Sequence, residues 1–198
     1  MDLKRLAAGY EERSADAAAR LTERARRDRL LDVAIGRIDS PIGTLTLAVT
    51  PRGLARLSFD GEDPSSVMEE LARDISPRIL ESAAATQDAR RELDEYFAGR
   101  RTSFSIAVDR QLIRGIAKEV LSATSTIPFG STSTYGTIAE RIGRPRAARA
   151  VGNALGSNPI PVVIPCHRVL AAGGKLGGYT GGVETKRALL ELEGSLLG

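Results

Sequence analysis

Three short alternating segments separated by proline- and glycine-bearing turns constrain the first half of this chain more than any other feature. Residues 33–38, 44–49 and 54–59 each carry the apolar alternation of a strand. The links between them, Ser40-Pro41-Ile42-Gly43 and Thr50-Pro51-Arg52-Gly53, are too short for a crossover. The strands must therefore be antiparallel neighbours. Helical patterns follow at 67–73 and 89–97, the second closed by Gly99 as a C′ residue, and 104–108 offers a fourth extended piece. This reads as a small α/β domain over 32–109, an antiparallel sheet with helices. Residues 1–31 mix Ala, Arg and Glu and read as a helical N-terminal extension. Arg26, Arg27 and Arg29 are the best argument for a nucleic-acid arm there, against a solvated helix of mixed charge.

Beyond residue 110 the period changes from two to that of a helix. An apolar stripe at Ile113, Ile116, Ala117, Val120 and Leu121 predicts a helix over 114–126, broken by Ile127-Pro128-Phe129-Gly130. Ser133 or Thr134 can cap a helix over 135–142, which stops at Gly143. Pro145 suits position N1 of another helix running to about Leu155, which Asn158-Pro159 closes. Two short helices across a glycine-containing turn predict a helix-turn-helix. A final amphipathic helix is expected over 183–193.

The one cysteine and the one histidine of the 198 residues stand side by side, in Ile164-Pro165-Cys166-His167-Arg168-Val169. A thiol is the strongest soft nucleophile a protein has, and imidazole is its usual base near neutral pH. An apolar run, residues 160–164, precedes them and a glycine-rich stretch, residues 173–182, follows, so a pocket is expected around the thiol. A lone cysteine is also commonly a small buried hydrophobe, and His167 could be structural. One cysteine permits no intramolecular disulfide and no cysteine-based zinc site, and a single histidine adds little metal capacity, so no metal is expected. A free thiol fits a reducing, cytoplasmic setting. No run of 18 apolar residues and no signal-like N-terminus is present, so no membrane association is expected.

The formal net charge is +3, which mildly favours a polyanionic partner. Between Gly130 and Val169 the basic residues Arg141, Arg144, Arg146, Arg149 and Arg168 face one acid, Glu140. The second helix of the pair is small-sided: Ala147, Ala148, Ala150 and Gly152 surround one long side chain, Arg149. A major-groove reader offers Asn, Gln or Arg to base edges. This helix instead suits close approach without much sequence reading, with Arg149 able to fill the gap left by an extruded base. Ordinary helix-forming alanines and a solvated arginine face explain the same composition equally well.

Taken together, Phe129-Gly130 with Tyr135, Arg146-Ala147-Ala148-Arg149-Ala150-Val151-Gly152, Asn158-Pro159, Pro161, Ile164-Pro165-Cys166-His167-Arg168-Val169, Gly178-Tyr179-Thr180-Gly181-Gly182 and Glu193-Gly194 resemble the O6-alkylguanine-DNA alkyltransferase family. The likeness is dense over residues 110–194, loose over 32–109, and absent from 1–31. It implies an α/β N-terminal domain followed, over 110–198, by a mainly α, winged-helix-like helix-turn-helix domain that binds duplex DNA. It also implies a suicide methyltransferase that needs no cofactor. The alkyl group of O6-alkylguanine, and also of O4-alkylthymine, passes once and irreversibly to Cys166. By that likeness His167 is the base acting through a water, Glu193 orients it, and Asn158 braces the pocket turn. Tyr135 sits against the phosphate and protonates the leaving guanine. Arg149 replaces the flipped nucleotide, with Arg146, Ala147, Ala148 and Gly152 on the DNA face. Tyr179, Thr180 and Gly181 line the pocket, and the carbonyls of Cys166 and Val169 accept from the exocyclic amine. A cytoplasmic monomer with no obligate protein partner is implied.

Two positions depart from some members. Thr180 keeps a hydroxyl where the family varies, and Gly156 stands where some members carry a basic residue. Cys166 separates the chain from relatives that bind lesions without a cysteine. The competing readings are a DNA-binding regulator with no chemistry and a thiol hydrolase that turns over.

Overall fold

The computed structural model describes residues 30–195 together with Ala17, Arg20 and Arg24, which are helical. The rest of the expected extension over 1–31 lies outside the described residues. The first half builds a sheet from β1 (Val33–Ile38), β2 (Leu45–Thr50), β3 (Gly53–Phe59) and β4 (Ile79–Glu81), in the order β3-β2-β1-β4. The β1–β2 and β2–β3 pairs are antiparallel, as the short turns demand. The expectation of a purely antiparallel sheet needs correction: β4 joins the free edge of β1 in parallel. It does so because α1 (Pro64–Asp74) intervenes between β3 and β4 and supplies the crossover that a parallel pairing requires. Residues 104–108 do not form a full strand. They run past β3 through two bonds, Leu54 N to Ala107 O and Asp109 N to Leu54 O.

Strand alternation gives the sheet two apolar faces. Val33, Ile35 and Ala48 pack under Val67 and Leu71 of α1. Ile38, Leu45, Leu47 and Leu57 face the main core, where α2 (Gln87–Phe97) presents Ala89, Leu93 and Tyr96 at helical spacing. α2 ends at Ala98, and Gly99 adopts φ +69° as the expected C′ residue.

The second half packs α3 (Ala117–Thr124), α4 (Tyr135–Arg141) and α5 (Ala148–Gly156) together, with α6 (Val183–Leu192) at the end. Thr134 caps α4, its Oγ1 accepting from Thr137 N at 3.1 Å. Pro145 is not at N1 of the next helix. It lies in the turn, Ala147 is the N-cap, and α5 begins at Ala148, so Arg146 precedes the helix. A parallel pair of two-residue strands, β5 (Ser133–Thr134) and β6 (Val169–Leu170), ties α4 to the cysteine segment.

The two halves share one core cluster, which runs from Ile38 through Ile164 to Leu189. Leu57 N of β3 also donates to Pro159 O at 2.8 Å, which fixes the sheet edge against the loop leading to the cysteine. Among the described residues no helix is long and apolar enough to cross a membrane.

Candidate active site

The apolar run before the cysteine folds as a tight turn. Val162 adopts φ +70°, a costly conformation for a β-branched residue. Asn158 over-determines that turn from within: its Oδ1 accepts from Ile160 N at 3.0 Å and its Nδ2 donates to Ile164 O at 2.9 Å. The same Nδ2 lies 3.1 Å from the Cys166 sulfur. Asn158 thus both shapes the loop and points a donor at the thiol, beyond the bracing role expected of it.

Cys166, His167 and Arg168 form one 3-10 turn, which sends consecutive side chains in different directions. Cys166 reaches a pocket of about 390 Å³ lined by Tyr135, Gly152, Leu155, Gly156, Gly178, Tyr179 and Thr180. A larger hollow, about 700 Å³, lies between α1 and the sheet and contains no cysteine or histidine. His167 points into the protein and is fully buried. Its Nε2 lies 2.9 Å from Glu193 Oε1, and its buried Nδ1 has no hydrogen-bond partner within the protein.

Glu193 gathers more partners than the sequence suggested. Arg168 grips it with two prongs, Nε to Oε2 at 2.8 Å and Nη2 to Oε1 at 2.9 Å, and donates Nη1 to Ile127 O at 2.5 Å. Tyr96, from α2 of the first half, donates its hydroxyl to Oε1 at 2.7 Å. Burial alone would raise the Glu193 pKa. The bonds from His167, Arg168 and Tyr96, and the charge that His167 carries once protonated at low pH, outweigh it and bring the pKa to about 2. Burial lowers the His167 pKa against the pull of Glu193, so the imidazole is neutral near pH 7. The charge that Glu193 answers at neutral pH is therefore that of Arg168.

Burial raises the Cys166 pKa, opposed by the Asn158 bond and then by the positive charge of Lys186. Lys186 is itself 1% exposed, and its Nζ donates to Val169 O at 2.6 Å. Burial brings the Lys186 pKa down to about 8. The resting thiol is protonated, with a cation and an amide donor waiting for its ionised form.

The remaining expected residues frame the pocket. Tyr135 opens α4 and forms one wall, half buried. Gly177, at φ +67°, would place a Cβ 2.9 Å from the Tyr135 hydroxyl, so the loop passes this ring only as glycine. Tyr179 also lines the pocket, its buried hydroxyl beside the thiol and its ring edge-on to Phe59 of β3 at 5.8 Å. Gly181 lies where a Cβ would meet the Phe59 ring at 2.9 Å. Val169 is buried, and neither it nor Gly181 is among the residues that line the pocket. Thr180 donates to Gly156 O at 2.9 Å, which pins the glycine loop to the end of α5. Arg146 and Arg149 are exposed, whereas Ala147, Ala148 and Gly152 are half buried. Tyr96, Arg168, Lys186 and Phe59 are the contributors that sequence reading did not assign to the site.

The arrangement is a buried single thiol with a neutral imidazole–carboxylate pair next to it, opening behind the second helix of a helix-turn-helix: a DNA-binding protein equipped for thiol chemistry. Comparison with known proteins narrows that class. A family model described as the 6-O-methylguanine DNA methyltransferase DNA-binding domain matches residues 115–195. A second, described as the ribonuclease-like domain of 6-O-methylguanine DNA methyltransferase, matches residues 33–110. The chain is 45% identical over 160 residues to a methylated-DNA–protein-cysteine methyltransferase of Mycobacterium bovis, covering 80% of this chain and 90% of that protein. It is 40% identical over 157 residues to one from Methanosarcina acetivorans, covering 79% and 96%. The crystal structure of Mycobacterium tuberculosis OGT in complex with DNA superposes with a TM-score of 0.71 at 44% identity, covering 82% of this chain and 94% of that one. The chain belongs to the O6-methylguanine-DNA methyltransferase family.

Proposed function

We propose that this chain repairs DNA by moving the alkyl group of O6-alkylguanine, and of O4-alkylthymine, directly to Cys166, once per molecule and irreversibly. The observation that carries the reading is the sole cysteine in the pocket behind α5, with Asn158 on its sulfur and the neutral His167–Glu193 pair beside it. A thiol with an ordinary pKa of about 8.5 is only a few per cent ionised at neutral pH, and burial makes this one harder to ionise. A base is therefore required. His167 takes the proton from the thiol, relayed through a water at its free Nδ1, while Glu193 holds the imidazole and stabilises it once charged.

The thiolate sulfur attacks the alkyl carbon. The S–C bond forms, the C–O6 bond breaks, and the guanine takes a proton from Tyr135 to leave as a neutral base. Tyr135 suits this timing. Burial, and then the Cys166 negative charge, raise its pKa. Thioether formation removes that charge at the step in which the guanine becomes basic, so the phenol becomes a better acid when it is needed. The carbonyls of Cys166 and Val169 already accept from Val169 N and Lys186. Each retains a second lone pair for the exocyclic amine. Residues 32–109 serve as buttress and 110–198 as the DNA-binding, thiol-bearing domain. The protein works on double-stranded DNA as a cytoplasmic monomer without an obligate protein partner or cofactor, consistent with a single free thiol.

Intact-protein mass spectrometry after mixing with excess duplex carrying one O6-methylguanine tests the reading. One added methyl per chain, mapped to Cys166 and saturating there, is the expected result. It excludes both the regulator without chemistry and the hydrolase. Lesion-selective binding without an adduct would make the thiol structural and end the mechanism. Arg149→Ala, on the exposed face of α5, tests the flipping role. Transfer from duplex is expected to slow about tenfold, equivalent to ~1.4 kcal/mol of lost support for the extruded state, with reaction toward the free modified base unchanged. Equal losses on both substrates remove the finger from Arg149.

A further inference from the structure

We propose that Tyr96 is a positioning residue for the Glu193–His167 relay, so that the sheet-bearing half of the chain sets the reactivity of a thiol carried by the other half. The inference rests on the relay reading above. Tyr96 is fully buried at the last turn of α2, 97 residues from its partner in sequence. Its ring is held by three others: Phe97 edge-on at 5.2 Å, Phe104 at 5.3 Å and Phe129 edge-on at 6.2 Å. Such a cage fixes where the hydroxyl points. The hydroxyl points at Glu193 Oε1, the oxygen that also meets His167 Nε2. Of the bonds to that oxygen, the one from Tyr96 is the shortest, 2.7 Å against 2.9 Å for His167 and for Arg168.

The consequence is chemical as well as geometric. Every donor on a carboxylate stabilises its ionised form and weakens it as a base. With Tyr96 donating, Glu193 stays a carboxylate while the imidazole is charged, and it does not pull the resting His167 into the imidazolium form. The groups facing His167 are Glu193 at the C-cap of α6, Lys186 in the first turn of that helix, Arg168 of its own turn and Tyr179 of the glycine loop. Arg168 and Lys186 favour the neutral ring, and Glu193 opposes them. Tyr96 reduces the opposing influence. Burial and the Glu193 charge push the Tyr96 pKa far above its usual value, so its hydroxyl remains a donor at every working pH.

The test is single-turnover methyl transfer from duplex O6-methylguanine across pH for the full chain, Tyr96→Phe, Glu193→Gln and the double variant, with thermal unfolding recorded for each. Tyr96→Phe is expected to slow transfer about tenfold at neutral pH and to move the acid limb of the rate profile upward, because a less-encumbered Glu193 holds a proton on His167 more firmly. In the Glu193→Gln background the same change should cost less than about twofold, since the carboxylate it acts through is gone. A fluorinated tyrosine at position 96 keeps the packing and strengthens the donor, and it should move the acid limb downward. Phe104→Leu loosens the cage while keeping the hydroxyl, and should lower the unfolding temperature and move the acid limb in the same direction as Tyr96→Phe, by less. An unmoved limb in both Tyr96 variants, with equal fractional losses in both backgrounds, reduces Tyr96 to a packing residue. Should Glu193→Gln itself react at the wild-type rate, the relay falls and the role of Tyr96 falls with it, whereas a slow Glu193→Gln beside an unmoved Tyr96→Phe limb overturns the role of Tyr96 alone.

Discussion

Glu193→Gln is expected to slow methyl transfer about a hundredfold, to cost about 3–5 kcal/mol of stability at neutral pH, and to leave binding to undamaged duplex nearly unchanged. The rate falls because glutamine cannot stabilise the imidazolium that forms when His167 accepts the thiol proton. The stability falls because Arg168, 6% exposed, is left as a buried cation without its carboxylate. DNA binding persists because Arg146 and Arg149 stand exposed on the helix-turn-helix and do not contact this cluster. The pH dependence isolates the carboxylate. Its folded pKa, about 2, is below the ordinary 4.5, so its stabilisation is complete above pH 4.5 and is lost as pH falls toward 2. The difference corresponds to about 3 kcal/mol. Urea unfolding of wild type and variant at neutral pH and near pH 3 should show the gap closing in acid. A gap that stays constant over this range, or equal transfer rates, contradicts the placement of Glu193.

How much of this was legible before the structure depended on whether the signal was local. The β1–β2–β3 meander followed from turn lengths, and the Gly99 and Gly143 stops from backbone chemistry. β4 did not, because Ile79-Leu80-Glu81 is three residues long and only tertiary pairing with β1 makes it a strand. The start of α5 was misplaced because Pro145 satisfies the rule for N1, while the turn that carries it closes differently, with Ala147 N bonded to Arg144 O. In the site, Cys166 and His167 were visible as a unique adjacent pair, and Asn158, Tyr135 and Glu193 came from family likeness. Tyr96 and Phe59 had no local signal, since each is an ordinary apolar-face aromatic whose partner lies far along the chain. Lys186 did leave a trace. Lys186, Leu189, Leu190 and Glu193 share i, i+3, i+4, i+7 spacing, so two opposite charges occupy the buried stripe of α6. Charges at such positions are kept only for a reason that outweighs their desolvation.

That reason can be separated from stability by Lys186→Met. The substitution keeps the length and apolar character of the stem and removes the charge. In the wild type the lysine is an ammonium in both folded and unfolded chains at neutral pH, and burying it is unfavourable. Its pKa falls from 10.5 to about 8, which corresponds to about 3 kcal/mol. Between those values the unfolded chain binds a proton that the folded one does not, so wild-type stability rises with pH from about 8 to about 10.5. Methionine abolishes that rise. It also leaves Val169 O without its donor, which returns roughly 1–3 kcal/mol of the relief. The variant should therefore be at least as stable as wild type at pH 7 and lose ground to it above pH 8 in denaturant titrations. Its chemistry should move the other way. The charge of Lys186 favours the Cys166 thiolate, and its loss should slow methyl transfer about tenfold. Because Cys166 is the only cysteine in the chain, its alkylation by iodoacetamide at pH 7, where Lys186 is still an ammonium, reports its thiolate fraction alone and should be slower in the variant. A protein that is no less stable at neutral pH yet slower, with a less acidic thiol, would show that the buried charge in α6 is retained for reactivity. An unchanged alkylation rate at pH 7 would instead confine Lys186 to holding the Val169 carbonyl in place.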